Sequence, residues 1–241
     1  MKIMEKIKAK ALDNAGCEGI TLGFIGDSVT QGCFEIYNKA DGNVETIFDK
    51  TNAYHKHLAD LLAVIFPTVP VNIINAGISG VCAPHGLARL ERDIIRHQPD
   101  LCVVCFGLND CSKGMSGIGE YTDALGKIFD QLKEAGIEII FMTPNMMCTQ
   151  VSCHIKEESH IEIAKATAKR QNEGVLDAYM DAAKAVAGEK GVAICDCYAK
   201  WKRLYECGAD ITELLSNKIN HPTREMNKLF AVSLLETMMG E

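Results

Sequence analysis

Residues 19–32 read Gly19-Ile20-Thr21-Leu22-Gly23-Phe24-Ile25-Gly26-Asp27-Ser28-Val29-Thr30-Gln31-Gly32, and the architecture follows from them. Thr21 to Ile25 is a short apolar run bounded by glycines, the pattern of a buried strand, and it stops at Gly26. A polar turn follows directly, with a serine at its centre. Outward from this unit the same alternation recurs. Tyr54 to Ile65 has helical periodicity, and Val69 to Ile74 is a second strand ending in Asn75-Ala76-Gly77. Pro84 to Arg96 is helical with Leu87, Leu90 and Ile94 on one face, and Leu101 to Phe106 is a third strand that runs into Gly107-Leu108-Asn109-Asp110. Tyr121 to Ala135 is helical, Ile137 to Met142 is a fourth strand, and one long helical region covers residues 161–187. Val192 to Cys195 makes a fifth strand, and a last helix runs from Thr223 to Met239, with Pro222 placed to open it.

Strands that alternate with helices imply βαβ units, hence a parallel sheet covered on both faces. The expected fold class is therefore α/β: a doubly wound five-stranded parallel sheet in a three-layer α/β/α sandwich. Residues 1–241 form one domain, since no linker, repeat or low-complexity tract divides them and the length suits a single α/β unit. Residues 1–18 are expected as an N-terminal helical extension. Residues 33–52, with Asn38, Lys39, Asp41, Gly42 and Asn43, are expected as an irregular insertion long enough to act as a lid or to touch substrate.

The composition narrows the partners. A formal net charge of -7 without a basic cluster argues against nucleic acid. No window approaches 18 consecutive apolar residues, and lysines at 2, 6, 8 and 10 break up the N-terminus, so neither a membrane span nor a signal peptide is expected. Eleven cysteines, several inside apolar runs, point to free thiols in a reducing cytoplasm. Cys102 and Cys105 have C-x-x-C spacing, but residues three apart on a strand face opposite ways and no second ligand pair follows, so no metal is expected. The N-terminal helix has two places to pack, its own domain or a second copy in a homo-oligomer, and the sequence leaves both open.

In an open parallel sheet, ligands bind outside the carboxyl ends of the strands where strand order reverses. With the order 2-1-3-4-5, the loops that begin at Gly26, Asn75 and Gly107 become neighbours. They carry a set suited to acyl transfer. Ser28 is a nucleophile in need of a base, while the Gly77 backbone N–H, the Asn109 amide and the Ser28 N–H are donors for the oxygen on which negative charge develops. His221, in the polar stretch Asn217-Lys218-Ile219-Asn220-His221-Pro222 before the last helix, can return over the first strand as that base. His55, His57, His97, His154 and His160 read as solvated or structural, and His85, near the Gly77 loop, is the competing base.

These blocks resemble those of the SGNH, or GDSL-type, hydrolases. Gly26-Asp27-Ser28 followed by Val29-Thr30-Gln31-Gly32 resembles the first block, and Asn75-Ala76-Gly77-Ile78-Ser79-Gly80 the second. Gly107-Leu108-Asn109-Asp110 resembles the third and His221-Pro222 the last. The resemblance implies a flavodoxin-like sandwich, hydrolysis of acyl esters through an acyl-enzyme, and no metal or cofactor. It implies Ser28 as nucleophile, His221 as base, Gly77 and Asn109 as oxyanion donors, and Asp27, Asp110 and Asn217 in support. One departure stands out. The family's aspartate three residues before the histidine is Lys218 here, which leaves three arrangements open. They are a Ser-His dyad whose imidazole is held by a backbone carbonyl, a substitute acid from Asp210 or Glu213, or weakened catalysis with Asn217 as a neutral partner.

The expected substrate is a small-molecule ester, foremost an acetyl ester such as an O-acetylated carbohydrate. A hydrolase of longer acyl chains, with Phe34, Ile36, Met146 and Met147 lining an acyl pocket, is the alternative, as is a catalytically weak family member that only binds ligand. A nucleotide- or flavin-binding domain lacks its glycine-rich phosphate cradle, and no G-x-S-x-G elbow marks an α/β-hydrolase.

Overall fold

The computed structural model describes residues 1–240. The chain opens with helix α1 (Lys2–Leu12), then strand β1 (Ile20–Gly26), the single turn α2 (Ser28–Gln31) and a hairpin of β2 (Cys33–Asn38) and β3 (Val44–Phe48). Next come α3 (Tyr54–Ile65), β4 (Val71–Gly77), α4 (Ala83–Asp93), β5 (Leu101–Cys105), α5 (Ile118–Glu134) and β6 (Glu138–Met142). The last part is α6 (Glu158–Asn172), α7 (Val175–Glu189), β7 (Ala193–Cys195), α8 (Cys197–Glu206) and α9 (Arg224–Met239).

The main sheet is parallel, in the order β4-β1-β5-β6-β7, which is the expected 2-1-3-4-5. Helix α3 packs on α9 over one face, and α5 packs on α4 and α7 over the other, giving three layers. β1 and β5 are buried along nearly their whole length, as their apolar runs require. β1, second in the sheet between β4 and β5, stands at the switch in winding direction. Its last residue, Gly26, lies in register with Gly77 of β4 and Cys105 of β5, so the three expected loops leave the sheet side by side.

Several expectations are corrected. Residues 33–52 are not irregular, because Cys33–Asn38 and Val44–Phe48 pair as an antiparallel hairpin with a bulge between Cys33 and Ile36. Residues Lys39 to Asn43 are its turn, closed by the Lys39 N–H on the Asn43 carbonyl at 2.7 Å. The helical region over 161–187 is two helices, broken at Gly174, whose φ of 75° is a left-handed geometry that favours glycine. α8 was absent from the sequence reading, although Asp196 caps it through the Ala199 N–H and Trp201 anchors it in the core. Pro222 does not open α9. Thr223 caps that helix through the Met226 N–H, and Pro222 stands outside it, bridged to Leu215.

α1 packs on its own domain. Ile3 and Ile7 are buried, and the Ile3 N–H donates to the Glu138 carboxylate at 2.8 Å. No helix among the described residues is long and apolar enough to cross a membrane. Cys102 and Cys105 are both buried in β5, and no cluster of three or more His, Cys, Asp or Glu with metal-site geometry occurs among the described residues.

Candidate active site

β1 delivers Ser28 to the first position of α2, where Asp27 caps the turn by accepting the Val29 N–H at 3.0 Å. His221 arrives from the other end of the chain, and its Nε2 lies 2.9 Å from Ser28 Oγ. Both side chains are buried. His221 Nδ1 lies 2.9 Å from the carbonyl oxygen of Phe34, at the base of the hairpin. A carbonyl can only accept, so Nδ1 carries the hydrogen and Nε2 presents its lone pair to the serine hydroxyl. The tautomer needed for a base is therefore set by the main chain of β2. Burial lowers the His221 pKa from its usual 6.5, against the opposing pull of the Phe34 carbonyl and the Glu35 charge.

The candidate acids lie elsewhere. Asn217 Oδ1 accepts three backbone N–H groups, from Ile219, Asn220 and His221, at 3.0, 2.9 and 2.9 Å. It folds the histidine loop and makes no bond to the ring. Asp210 caps the 3-10 turn at Ile211–Leu214 and holds Gln150, while Glu213 pairs with Lys218. Of the three open arrangements, only the backbone carbonyl makes a hydrogen bond to the imidazole. Asn145, just past β6, steadies the loop further by donating to the Asn220 carbonyl at 2.9 Å. The sequence marks Phe34 only as a candidate acyl-pocket side chain, not for its carbonyl, and does not mark Asn145. A main-chain carbonyl leaves no residue-type signal, and Asn145 had only its place at a strand end to recommend it.

Gly77, the expected oxyanion donor, is not among the residues lining the cavity that contains Ser28, and its N–H is not free. Its N–H is taken up by Asn75 Oδ1 at 2.9 Å, and its missing side chain serves close packing, since a Cβ there would sit 2.2 Å from the backbone nitrogen of Gln31 in α2. Gly80, three residues on in the same block, lines the cavity that contains Ser28, with a φ of 77°. Asn109 lines it too. Its Nδ2 donates one hydrogen to the Val81 carbonyl at 3.0 Å and keeps the second for a ligand.

Asp27 and Asp110 are buried close together. Burial raises Asp27 to about 7, with the charge of Asp110 pushing the same way, and burial raises Asp110 to about 6. Asp110 Oδ1 accepts the Ala83 N–H at the start of α4, whereas its Oδ2 is buried without a partner. His85 is occupied by the Cys82 N–H in the α4 cap, and His55 is buried against Asn75, so neither competes for the serine.

The cavity around Ser28 and His221 measures about 460 Å³. Ile36, from the hairpin, and Met147 are on its wall, while Met146 faces a separate groove and Phe34 is buried beneath Arg224. That separate groove is larger, about 730 Å³, but contains neither Ser28 nor His221.

Residues 24–229 match the model of the GDSL-like lipase/acylhydrolase family. An acetylxylan esterase of Geobacillus stearothermophilus is 28% identical over 135 residues, which cover 52% of this chain and 60% of that enzyme. An arylesterase of Vibrio mimicus is 35% identical over 72 residues, 30% of this chain and 36% of the relative. The chain thus spans less than two thirds of the curated relatives it matches. Among solved structures, the acetylxylan esterase Axe2 of Geobacillus stearothermophilus aligns with a TM-score of 0.67 at 22% identity, over 93% of this chain and 96% of that one. A two-domain esterase active on acetylated mannans aligns with a TM-score of 0.68 at 16% identity, over 99% of this chain and 51% of that one. At these identities the likeness carries the fold alone.

Proposed function

Because the chain belongs to the GDSL-like lipase/acylhydrolase family, we propose that it is a serine esterase that cleaves small acyl esters, foremost acetyl esters of carbohydrates. The observation that carries this reading is the 2.9 Å contact between Ser28 Oγ and His221 Nε2, with Nδ1 fixed by the Phe34 carbonyl. As Ser28 Oγ bonds to the ester carbon, its proton passes to Nε2 and the carbonyl oxygen becomes an oxyanion. The Ser28 N–H, the free Asn109 amide hydrogen and the Gly80 N–H, all from residues lining the one cavity, are the donors this reading assigns to that oxygen. Collapse expels the alcohol, which takes the proton from Nε2. Water then repeats the sequence on the acyl-Ser28 ester, releases the acid and restores the serine.

The reading is of a dyad. A carbonyl dipole orients the imidazole as an aspartate would, but it offers a positive ring less than a full charge does. The name of one relative, acetylxylan esterase, supports an acetyl group, and both names support an esterase. Ile36 and Met147 on the cavity wall support an acyl-binding side of limited size. Eleven free cysteines, among them Cys195 and Cys197 with sulfurs 3.6 Å apart and unbonded, support a reducing, cytoplasmic setting.

The test is hydrolysis of 4-nitrophenyl esters from acetate to octanoate by the wild type, Ser28→Ala and His221→Ala. The esterase reading expects turnover that is highest on the short esters and falls by about 10³-fold or more in both variants. Wild-type turnover that survives Ser28→Ala overturns it. Ligand binding without turnover would make the protein a binding member of the family.

A further inference from the structure

Arg170, on α6, brings a guanidinium to the wall of the cavity that holds Ser28 and His221. Its surroundings leave that group underused. Nη2 donates to Thr167 Oγ1 at 3.2 Å, Nε is buried with no hydrogen-bond partner, and no carboxylate among the described residues pairs with it. Arg89, Arg92, Arg203 and Arg224 each reach an aspartate or glutamate, and Arg96, which like Arg170 reaches none, lies outside this cavity. No aspartate or glutamate lines the cavity either, although the chain as a whole carries a formal charge of -7.

Nη1 makes no hydrogen bond among the described residues, so the guanidinium still has donor capacity to offer an acceptor in the cavity. A guanidinium presents a planar fork that fits a carboxylate bidentately. Arg170 is the only arginine or lysine among the described residues that line this cavity, so the wall balances one negative charge, which suits a carboxylate better than a dianionic phosphate. We propose that the preferred substrate of the Ser28 site is an ester that also carries a carboxylate, and that Arg170 binds it. This rests on the esterase reading and narrows it. The carboxylate has two possible origins with the same chemistry: the alcohol side, as in an acetylated uronate sugar, or the far end of the acyl group, as in a dicarboxylic half-ester.

The experiment compares kcat/KM within two matched pairs. The first pair is an O-acetylated methyl xyloside and the corresponding O-acetylated methyl glucuronoside, followed by acetate release. The second is 4-nitrophenyl butyrate and 4-nitrophenyl hemisuccinate. Wild type is expected to prefer the anionic member of one pair by about tenfold, the worth of one good charge-assisted bond, and added salt should shrink the preference. The pair that shows it identifies the origin of the carboxylate. In Arg170→Gln the ratio should collapse toward one, and in Arg170→Lys it should partly return. No preference in either pair, or a preference that survives Arg170→Gln, overturns the proposal. If neutral esters are cleaved in a Ser28-dependent way with no anionic preference, this inference fails and the esterase reading stands. If no ester is cleaved, the esterase reading fails and this one falls with it.

Discussion

His221 Nδ1 meets the carbonyl oxygen of Phe34 at 2.9 Å, so the hairpin's main chain takes the place that an acidic side chain holds in a Ser-His-Asp triad. Lys218, which occupies the family's aspartate position, points away. It has a left-handed φ of 57°, and its ammonium reaches the Glu213 carboxylate at 2.9 Å. Restoring the aspartate should therefore not restore a triad. Lys218→Asp is expected to leave kcat on 4-nitrophenyl acetate within about twofold of wild type or to lower it, since Nδ1 is already satisfied. A rise of tenfold would mean that the loop rearranges and the carbonyl is a weak substitute.

The position of that carbonyl depends on a clamp. Arg224, in the first turn of α9, bonds the Glu35 carboxylate through both Nη atoms at 2.6 and 3.1 Å and Asp49 through Nε at 2.8 Å, and its guanidinium lies 4.4 Å over the Phe34 ring. It ties both ends of the hairpin to the helix that follows His221. Arg224→Met is expected to lower kcat by about tenfold, the equivalent of ~1.4 kcal/mol, with KM little changed. A loosened hairpin misplaces the base rather than the substrate wall. Arg224→Lys should recover part of the loss, because one ion pair survives. An equal loss in both variants, accompanied by a matching fall in folded fraction, would point to stability alone.

Much of this was legible in the sequence because it is written in side chains and periodicity. The buried runs at residues 21–25 and 101–106 set β1 and β5 at the switch point, and Ser28 and Asn109 just past strand ends, with His221 in the loop before the last helix, carry polar groups with few other uses there. What escaped is written in backbone geometry. The Phe34 carbonyl has no residue-type signature, and the hairpin reads as irregular because its turn, Lys39 to Asn43, joins two short strands that are largely exposed toward that turn. Gly77 and Gly80 are the same residue type in one block. Only the fold separates the one that packs against α2 from the one that lines the cavity.

The base should titrate on the acid side of an ordinary histidine. Burial lowers the His221 pKa below 6.5, and only neutral imidazole accepts the serine proton. The acid limb of kcat/KM is thus expected to have its midpoint below pH 6.5, with full activity retained through neutrality. The same group links to stability with a definite sign. Its folded pKa lies below the unfolded value, so its contribution is intact above pH 6.5 and is lost as pH falls through the folded pKa. A pH profile from 4 to 9 checks the first point, and a midpoint above 7 would imply an unrecognised carboxylate partner.

Asp110 should act in the opposite sense. Its folded pKa is raised by burial to about 6, so its contribution is fully present below the unfolded value near 3.8 and is lost as pH rises through 6. Asp110→Asn keeps an oxygen for the Ala83 N–H and removes a charge that also pushes Asp27 up. Relative to wild type, the variant is expected to gain about 1–3 kcal/mol at pH 8 compared with pH 4.5, measured by urea denaturation at both values. A difference that does not change with pH would show that Asp110 titrates in the folded protein as it does in the unfolded chain, without the upward push of burial.

The two glycines of the second block separate packing from chemistry. A Cβ on Gly77 would lie 2.2 Å from the Gln31 nitrogen and 2.6 Å from the Thr30 carbonyl carbon, both backbone atoms of the turn that carries Ser28. Neither can move without moving the nucleophile, so Gly77→Ala is expected to cost about 2–4 kcal/mol of stability and to abolish turnover. A Cβ on Gly80 meets nothing within 4 Å, and only its φ of 77° is unfavourable, a cost of about 1 kcal/mol. Gly80→Ala should therefore fold nearly as well as wild type, and its methyl group would enter beside the site of oxyanion formation. Thermal unfolding alongside kcat distinguishes the pair. The expected pattern is a large fall in Tm for Gly77→Ala, and for Gly80→Ala a small one with a disproportionate loss of kcat. If instead Gly77→Ala folds normally and loses only kcat, Gly77 acts at the oxyanion after all, and the bond from its N–H to Asn75 must open during turnover.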